Sequence, residues 1–263
     1  MKKLMLLTLV AGVMLGVSLI AYRGASATEP RPDKEIIADV VRDARTADIN
    51  ALPALPAKSF TLPTAGVEVM RVRMEETYTI AGVGTDTVQL TGWIAAKHDT
   101  PRPIPGETKV SWSTAVIDTE FVGLELKGES KIFGPVQVSL ATNQKALGQV
   151  GAIDVPELRE REALARKTAK PGQDAVNKCV ANIPVTVVMP QLNLSMKTEK
   201  PVRMFSLVET IPPIGHTASI SLTPTSLISA ERVVGTLEHA EVKFREIVMT
   251  TPLSGTNAQT ASK

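Results

Sequence analysis

His98, His216 and His239 are the histidines of this 263-residue chain, and Cys179 is its one cysteine. A zinc site takes three or four His, Cys or carboxylate ligands, usually from close pairs such as H-x-x-x-H or C-x-x-C. Neither spacing occurs. His239 lies in Glu238-His239-Ala240-Glu241, where residues two apart on a strand would share a face. That parity continues to Lys243 and Arg245, so the face points to solvent and no metal is expected there. A Ser–His–acid site needs a nucleophile beside a base, with donors for the oxyanion. The G-x-S-x-G elbow is absent, and Ser130-Lys131 and Ser195–Lys197 are chance-level pairs. No G-x-x-x-x-G-K-[ST] phosphate loop is present; Gly82-Val83-Gly84 falls in a hairpin pattern with no helix after it. No catalytic, cofactor-binding or metal residue is therefore assigned.

Two histidines end or follow rigid segments. His98-Asp99 closes a strand before the Pro101–Pro105 loop. His216 follows Ile211-Pro212-Pro213-Ile214-Gly215. Two prolines and a glycine fix such a loop at low entropy, which suits a recognition loop built from Pro212, Pro213 and His216. The plainer reading is a rigid connection carrying a polar loop residue. A hydrolase, if this were one, would have to assemble its site from distant loops around His98 or His216.

Apolar chemistry says more. Aromatic residues make up 3% of the chain, which leaves few rings to stack on sugars or bases. Trp93 shares parity with the polar Gln89 and Thr91, so it is either an exposed anchor or is covered by loops or by the N-terminal leader; the covered reading is favoured. The methionines past residue 27 are scattered and read as core filler rather than copper ligands. Cys179 lies in the apolar run Val176–Val187 and is expected to be buried.

The first residues carry an address. Lys2 and Lys3 precede an apolar run from Leu4 to Ala21, and Ala25-Ser26-Ala27 supplies the small residues of an A-x-A site. This predicts a signal peptide over 1–27, cut so that Thr28 becomes the new terminus. The short Lys-Lys opening is of bacterial type, so the expected destination is the periplasm or beyond. The run also reaches the lower edge of a membrane span, and an uncleaved anchor over 4–21 is the alternative. The chain has 29 basic and 27 acidic residues. Losing Lys2, Lys3 and Arg23 leaves it near neutral, which argues against nucleic acid as a partner. An exported chain with one cysteine must hold together by burial.

The elements that would position these residues follow from periodicity. Residues 28–65 read as a leader: a helix over Asp33–Ala44, with Ile36, Ile37, Val40 and Val41 on one side, then a Pro-rich stretch. Residues 66–253 switch to period two. Val67 and Val69 alternate with Glu68; after a one-residue shift, Met70, Val72 and Met74 alternate with Arg71 and Arg73, which points to a bulge. Further alternating runs begin at Val88, Val122, Val136, Val185 and Leu192, separated by Gly- and Pro-rich turns. An insertion over 141–178 contains a polar helix at Pro156–Ala169, and 254–263 reads as a disordered tail. The expected fold is mainly β: an antiparallel β-sandwich, immunoglobulin-like or jelly-roll-like. The expected function is an exported, non-enzymatic binding or scaffold module without cofactor. Its partner would be another protein or an apolar ligand, with membrane contact only through an uncleaved 4–21. A carrier of a lipid or other apolar ligand is the alternative, and a secreted hydrolase the third.

Overall fold

Alternating strands bury one face only by pairing side by side around a shared core. The computed structural model describes residues 31–56, 62–168, 177–215 and 219–253. The unit considered is Pro32–Lys263. Its strands are β1 (Gly66–Ile80), β2 (Gly84–His98), β3 (Arg102–Pro103), β4 (Ala115–Ser130), β5 (Gly134–Leu140), β6 (Ala146–Gly151) and β7 (Asn177–Ile183). They continue with β8 (Val185–Met189), β9 (Leu194–Thr198), β10 (Val202–Val208), β11 (Ser219–Ser221), β12 (Thr225–Ser229) and β13 (Arg232–Pro252). The helices are α1 (Asp33–Thr46) and α2 (Arg159–Thr168).

All the ladders are antiparallel, and the sheet closes on itself. The order β1-β2-β4-β5-β8-β9-β12-β13 returns to β1 through a β1–β13 ladder running from Gly66↔Pro252 to Ile80↔Gly235. A second path from β4 to β13 runs through β6, β7, β10 and β11. The two paths are halves of the same strands. β5 and β6 lie successively along β4, and β8/β7, β9/β10 and β12/β11 continue the pattern. Pro184, Pro201 and Pro224 sit at three of the four breaks, where a residue without an N–H cannot continue a ladder. The result is one eight-stranded barrel with four unbroken strands, β1, β2, β4 and β13, and four interrupted ones.

The mainly β, antiparallel class expected from the sequence is what the structure has. Its connectivity is simpler than immunoglobulin or jelly-roll order. Strands adjacent in sequence are adjacent in the sheet, a meander rather than Greek-key crossings, because short hairpin turns join most neighbours.

Inward-facing residues from all eight staves form one cluster, including Val72, Leu90, Leu126, Val187, Leu227 and Phe244. Each such side chain, fully buried, contributes about 1.5–3 kcal/mol. The bulge read from the sequence in β1 at Val69/Met70 is not there: β1 pairs with β2 without a shift, and the extra residue of the β1–β13 ladder is Val248 on β13. The apolar parity changes at that point because Val67 and Val69 belong to an outer apolar cluster, while Glu68 and Met70 face inward.

Two helices cover the barrel from outside. α1 sets Val40 and Ala44, with Ile49 beyond it, against Val67, Val69, Trp93 and Val248. Arg71 fastens the segment after α1: Nε donates to the Ile49 carbonyl at 2.8 Å, Nη2 to the Leu52 carbonyl and Nη1 to Glu246. Trp93 is buried under this segment, and its ring lies flat on Gly123, where a Cβ would meet Cζ3 at 2.7 Å. α2 follows a 3-10 turn at Pro156–Leu158. Leu158 packs on Phe205 and Val155, while Leu164 stays 65% exposed. Glu162 accepts from the buried Lys178 Nζ at 2.7 Å and from Arg166. Pro190, which the sequence places at a bulge or an edge, starts a 3-10 turn instead; Asn193, at φ 52°, closes that hairpin between β8 and β9. Among the described residues no helix is long and apolar enough to cross a membrane.

Candidate functional site

The inward row of β1 reads Glu68, Met70, Val72, Met74, Glu76, Tyr78, Ile80, all buried. Two acids therefore face the barrel interior from one strand, roughly 26 Å apart at about 3.3 Å per residue. Glu76 is wholly buried, and its cross-strand neighbours are Val88 on β2 and Ala240 on β13, both at 0% exposure. The Tyr78 hydroxyl donates to Glu76 Oε2. Oε1 has no hydrogen-bond partner among the described residues. Burial pushes the Glu76 carboxyl up to about 7, against the opposing pull of the Tyr78 bond. Burial first, then the charge of Glu76 and its hydrogen bond, raise the Tyr78 phenol well above its usual value. An unpaired acceptor in an apolar interior costs about 1–3 kcal/mol.

Glu68 belongs to a second cluster. His98 Nε2 lies 3.1 Å from Glu68 Oε2, and its Nδ1 lies 3.1 Å from Thr119 Oγ1. The register places His98 opposite Thr119 on β4, and Glu68 opposite Ala96 on β2. The order hydroxyl–imidazole–carboxylate is that of a hydrolytic relay. Thr119 is 5% exposed and His98 2%, so both lie buried in the wall. The three side chains satisfy one another, as buried polar groups must. Nearby rows are also polar. Cys179 faces Ser206 across the β7–β10 ladder, and Ser219 Oγ donates to Ser206 Oγ at 3.0 Å. Burial pushes the Cys179 thiol up to about 12, with the Ser206 bond acting the other way, so it is no nucleophile at neutral pH.

The two ends of the barrel differ. One end has only tight turns, at 81–83, 131–133, 190–193 and 230–231. Asp86 of β2 fastens the 131–133 turn by accepting from Ser130 Oγ at 2.6 Å and the Lys131 N–H at 2.9 Å. The other end carries the described connecting segments 99–114, 152–158 and 209–215. Leu62, Trp112 and Ile211 pack there over Ile117, Val150 and Val208. Pro212 and Pro213 are buried in this end, and Thr210 Oγ1 donates to the Pro212 carbonyl at 2.7 Å. His216 lies outside the described residues, as do Ala25, Ala27 and Thr28. Outside the barrel, a cleft of about 380 Å³ is lined by Lys97, Asp99, Asp118, Glu120, Leu147 and Gln149. Hydrogen bonds from Arg102 and Gln149 hold the Asp118 carboxyl below its usual range. Among the described residues no three His, Cys, Asp or Glu side chains converge as metal ligands.

Glu68, Thr119, Glu76 and Tyr78 were not singled out from the sequence. The signal was there for Glu76: it continues the inward parity of Met70, Val72 and Met74.

A search of solved structures finds DynF from the dynemicin biosynthesis pathway of Micromonospora chersina, at 18% identity and a TM-score of 0.62. The match covers 76% of this chain and 89% of DynF, and it shows a shared fold. A search of curated proteins finds no match. A family model matches residues 38–228, which span β1 to β12 and most of α1, so the chain belongs to the family of unknown function DUF6073.

Proposed function

We propose that this chain is an exported, non-enzymatic binding protein that carries an apolar small molecule within its barrel. The observation that carries this reading is the lining: Met70, Met74, Met189, Met196 and Met204 all face the interior. Methionine is flexible and polarisable, so such a lining repacks around a guest at little cost. An eight-stranded barrel is the size that holds either packed side chains or one small ligand. Entry would be at the end that carries the long connections, where Leu62, Trp112 and Ile211 would have to part. Export rests on residues 1–27, as read above.

The test is native mass spectrometry of gently purified protein, paired with titration of the neutral apolar dye N-phenylnaphthylamine. The reading expects a molecule released on unfolding, and saturable one-to-one dye binding. Repeated preparations with no bound molecule and no saturable dye site would sink it.

A further inference from the structure

The inward neighbours of Glu76 leave its Oε1 one missing bond, and that bond defines a ligand group. Met74, Val88 and Ala240 offer no hydrogen. Tyr78 has a single hydroxyl hydrogen, already given to Oε2. Ser221 Oγ accepts the Ala240 N–H at 2.9 Å and does not bond Glu76. We propose that Glu76 Oε1 anchors a single neutral hydroxyl group on the apolar molecule carried in the barrel, so that the preferred ligand is a long-chain or polycyclic alcohol.

The proposal rests on the carrier reading and narrows its ligand class. Other polar groups fit less well. An ammonium brings three donors to one free acceptor and leaves two unsatisfied in an apolar wall. A carboxylate brings a second acid beside a buried one, and like charges at short range oppose each other. A hydroxyl brings one donor and one acceptor without charge. It can give its hydrogen to an ionised Oε1 or receive one from a protonated Oε1. Ala240, directly across from Glu76, keeps the space beside the carboxyl free of a large side chain.

The test compares dodecanol with dodecane, using the full chain and displacement of N-phenylnaphthylamine. The ratio of the two affinities is measured for the native protein, for Glu76→Leu and for Glu76→Gln. One hydrogen bond to a buried partner corresponds to about tenfold in affinity. The alcohol-over-alkane ratio should therefore fall about tenfold in Glu76→Leu and survive in Glu76→Gln, whose amide oxygen takes the Tyr78 hydrogen while its NH2 donates to the ligand's hydroxyl oxygen. Circular dichroism shows that each variant is folded; should Glu76→Leu fail this check, Glu76→Met takes its place. A ratio unchanged by removing the carboxyl overturns the hydroxyl anchor and leaves the carrier reading standing. Failure of both dodecanol and dodecane to displace the dye overturns the anchor, while absence of any dye site overturns the carrier reading as well.

Discussion

Replacing Glu76 by Gln should change how stability depends on pH, and by a predictable amount. In the folded chain the carboxyl is raised from its ordinary 4.5 to about 7 by burial. A group raised on folding holds its proton more tightly in the native state than in the unfolded one. Its contribution is therefore complete below pH 4.5 and is lost as pH rises through about 7. Each pH unit between those values costs about 1.4 kcal/mol, so the total is about 3 kcal/mol. Gln has nearly the same shape, cannot ionise, and leaves the Tyr78 hydroxyl an acceptor. Urea unfolding of both proteins between pH 4 and pH 9 would isolate the effect, since every other titrating group cancels in the difference. The two should be of similar stability near pH 4. The variant should gain steadily above pH 4.5 and level off about 3 kcal/mol ahead above pH 7. A difference that stays within about 0.5 kcal/mol across the range would refute the buried, protonated carboxyl.

Other predictions bear on the frame around this site. Gly123→Ala drives a methyl into the Trp93 ring and should cost about 1–3 kcal/mol in the same unfolding assay; a neutral result would mean that the ring moves freely under α1. Glu162→Gln leaves the buried Lys178 ammonium without its counter-charge and should cost about 3 kcal/mol, whereas Arg166→Gln on the same helix should cost about 0.5 kcal/mol or less. Equal losses would contradict the assignment of Lys178 as the buried partner. Ala230 and Glu231 both have positive φ, 46° and 64°, in the β12–β13 turn, so Glu231→Gly should stabilise by about 0.5–1 kcal/mol. Cys179 should resist thiol reagents in the native state and react fully in urea; rapid native labelling would place it outside the core.

Period-two patterning in the sequence marked most of the strands, because a half-buried strand leaves its signature in every second residue. It misplaced a bulge at Val69/Met70, where the parity changes only because α1 covers Val67 and Val69 on the outer face, while helical spacing marked α1, whose described extent is Asp33–Thr46. Trp93 broke its parity because the outer face of β1 and β2 is itself covered by α1, so both faces of those strands are apolar near their ends. The closure of β1 onto β13 was not legible. Alternation says which face is buried, and nothing about which distant strand lies alongside. The polar clusters were missed for a related reason. Glu68 and His98 are separated by 30 residues in sequence and meet only through the register of the β1–β2 ladder. Glu76 looked like one more acid in Glu75-Glu76, and only the inward row distinguishes it from its half-buried, outward neighbour.

The β1–β13 ladder also orders events during synthesis. β1 is the first stave of the barrel to leave the ribosome, and β13, its longest partner, is the last. Until β13 arrives, the nascent sheet exposes two unpaired edges, the condition that favours association between chains. Completion of the wall is thus tied to translation of Arg232–Pro252. A ribosome stalled before that stretch would hold an open sheet, with the edge of β1 that β13 later covers left unpaired.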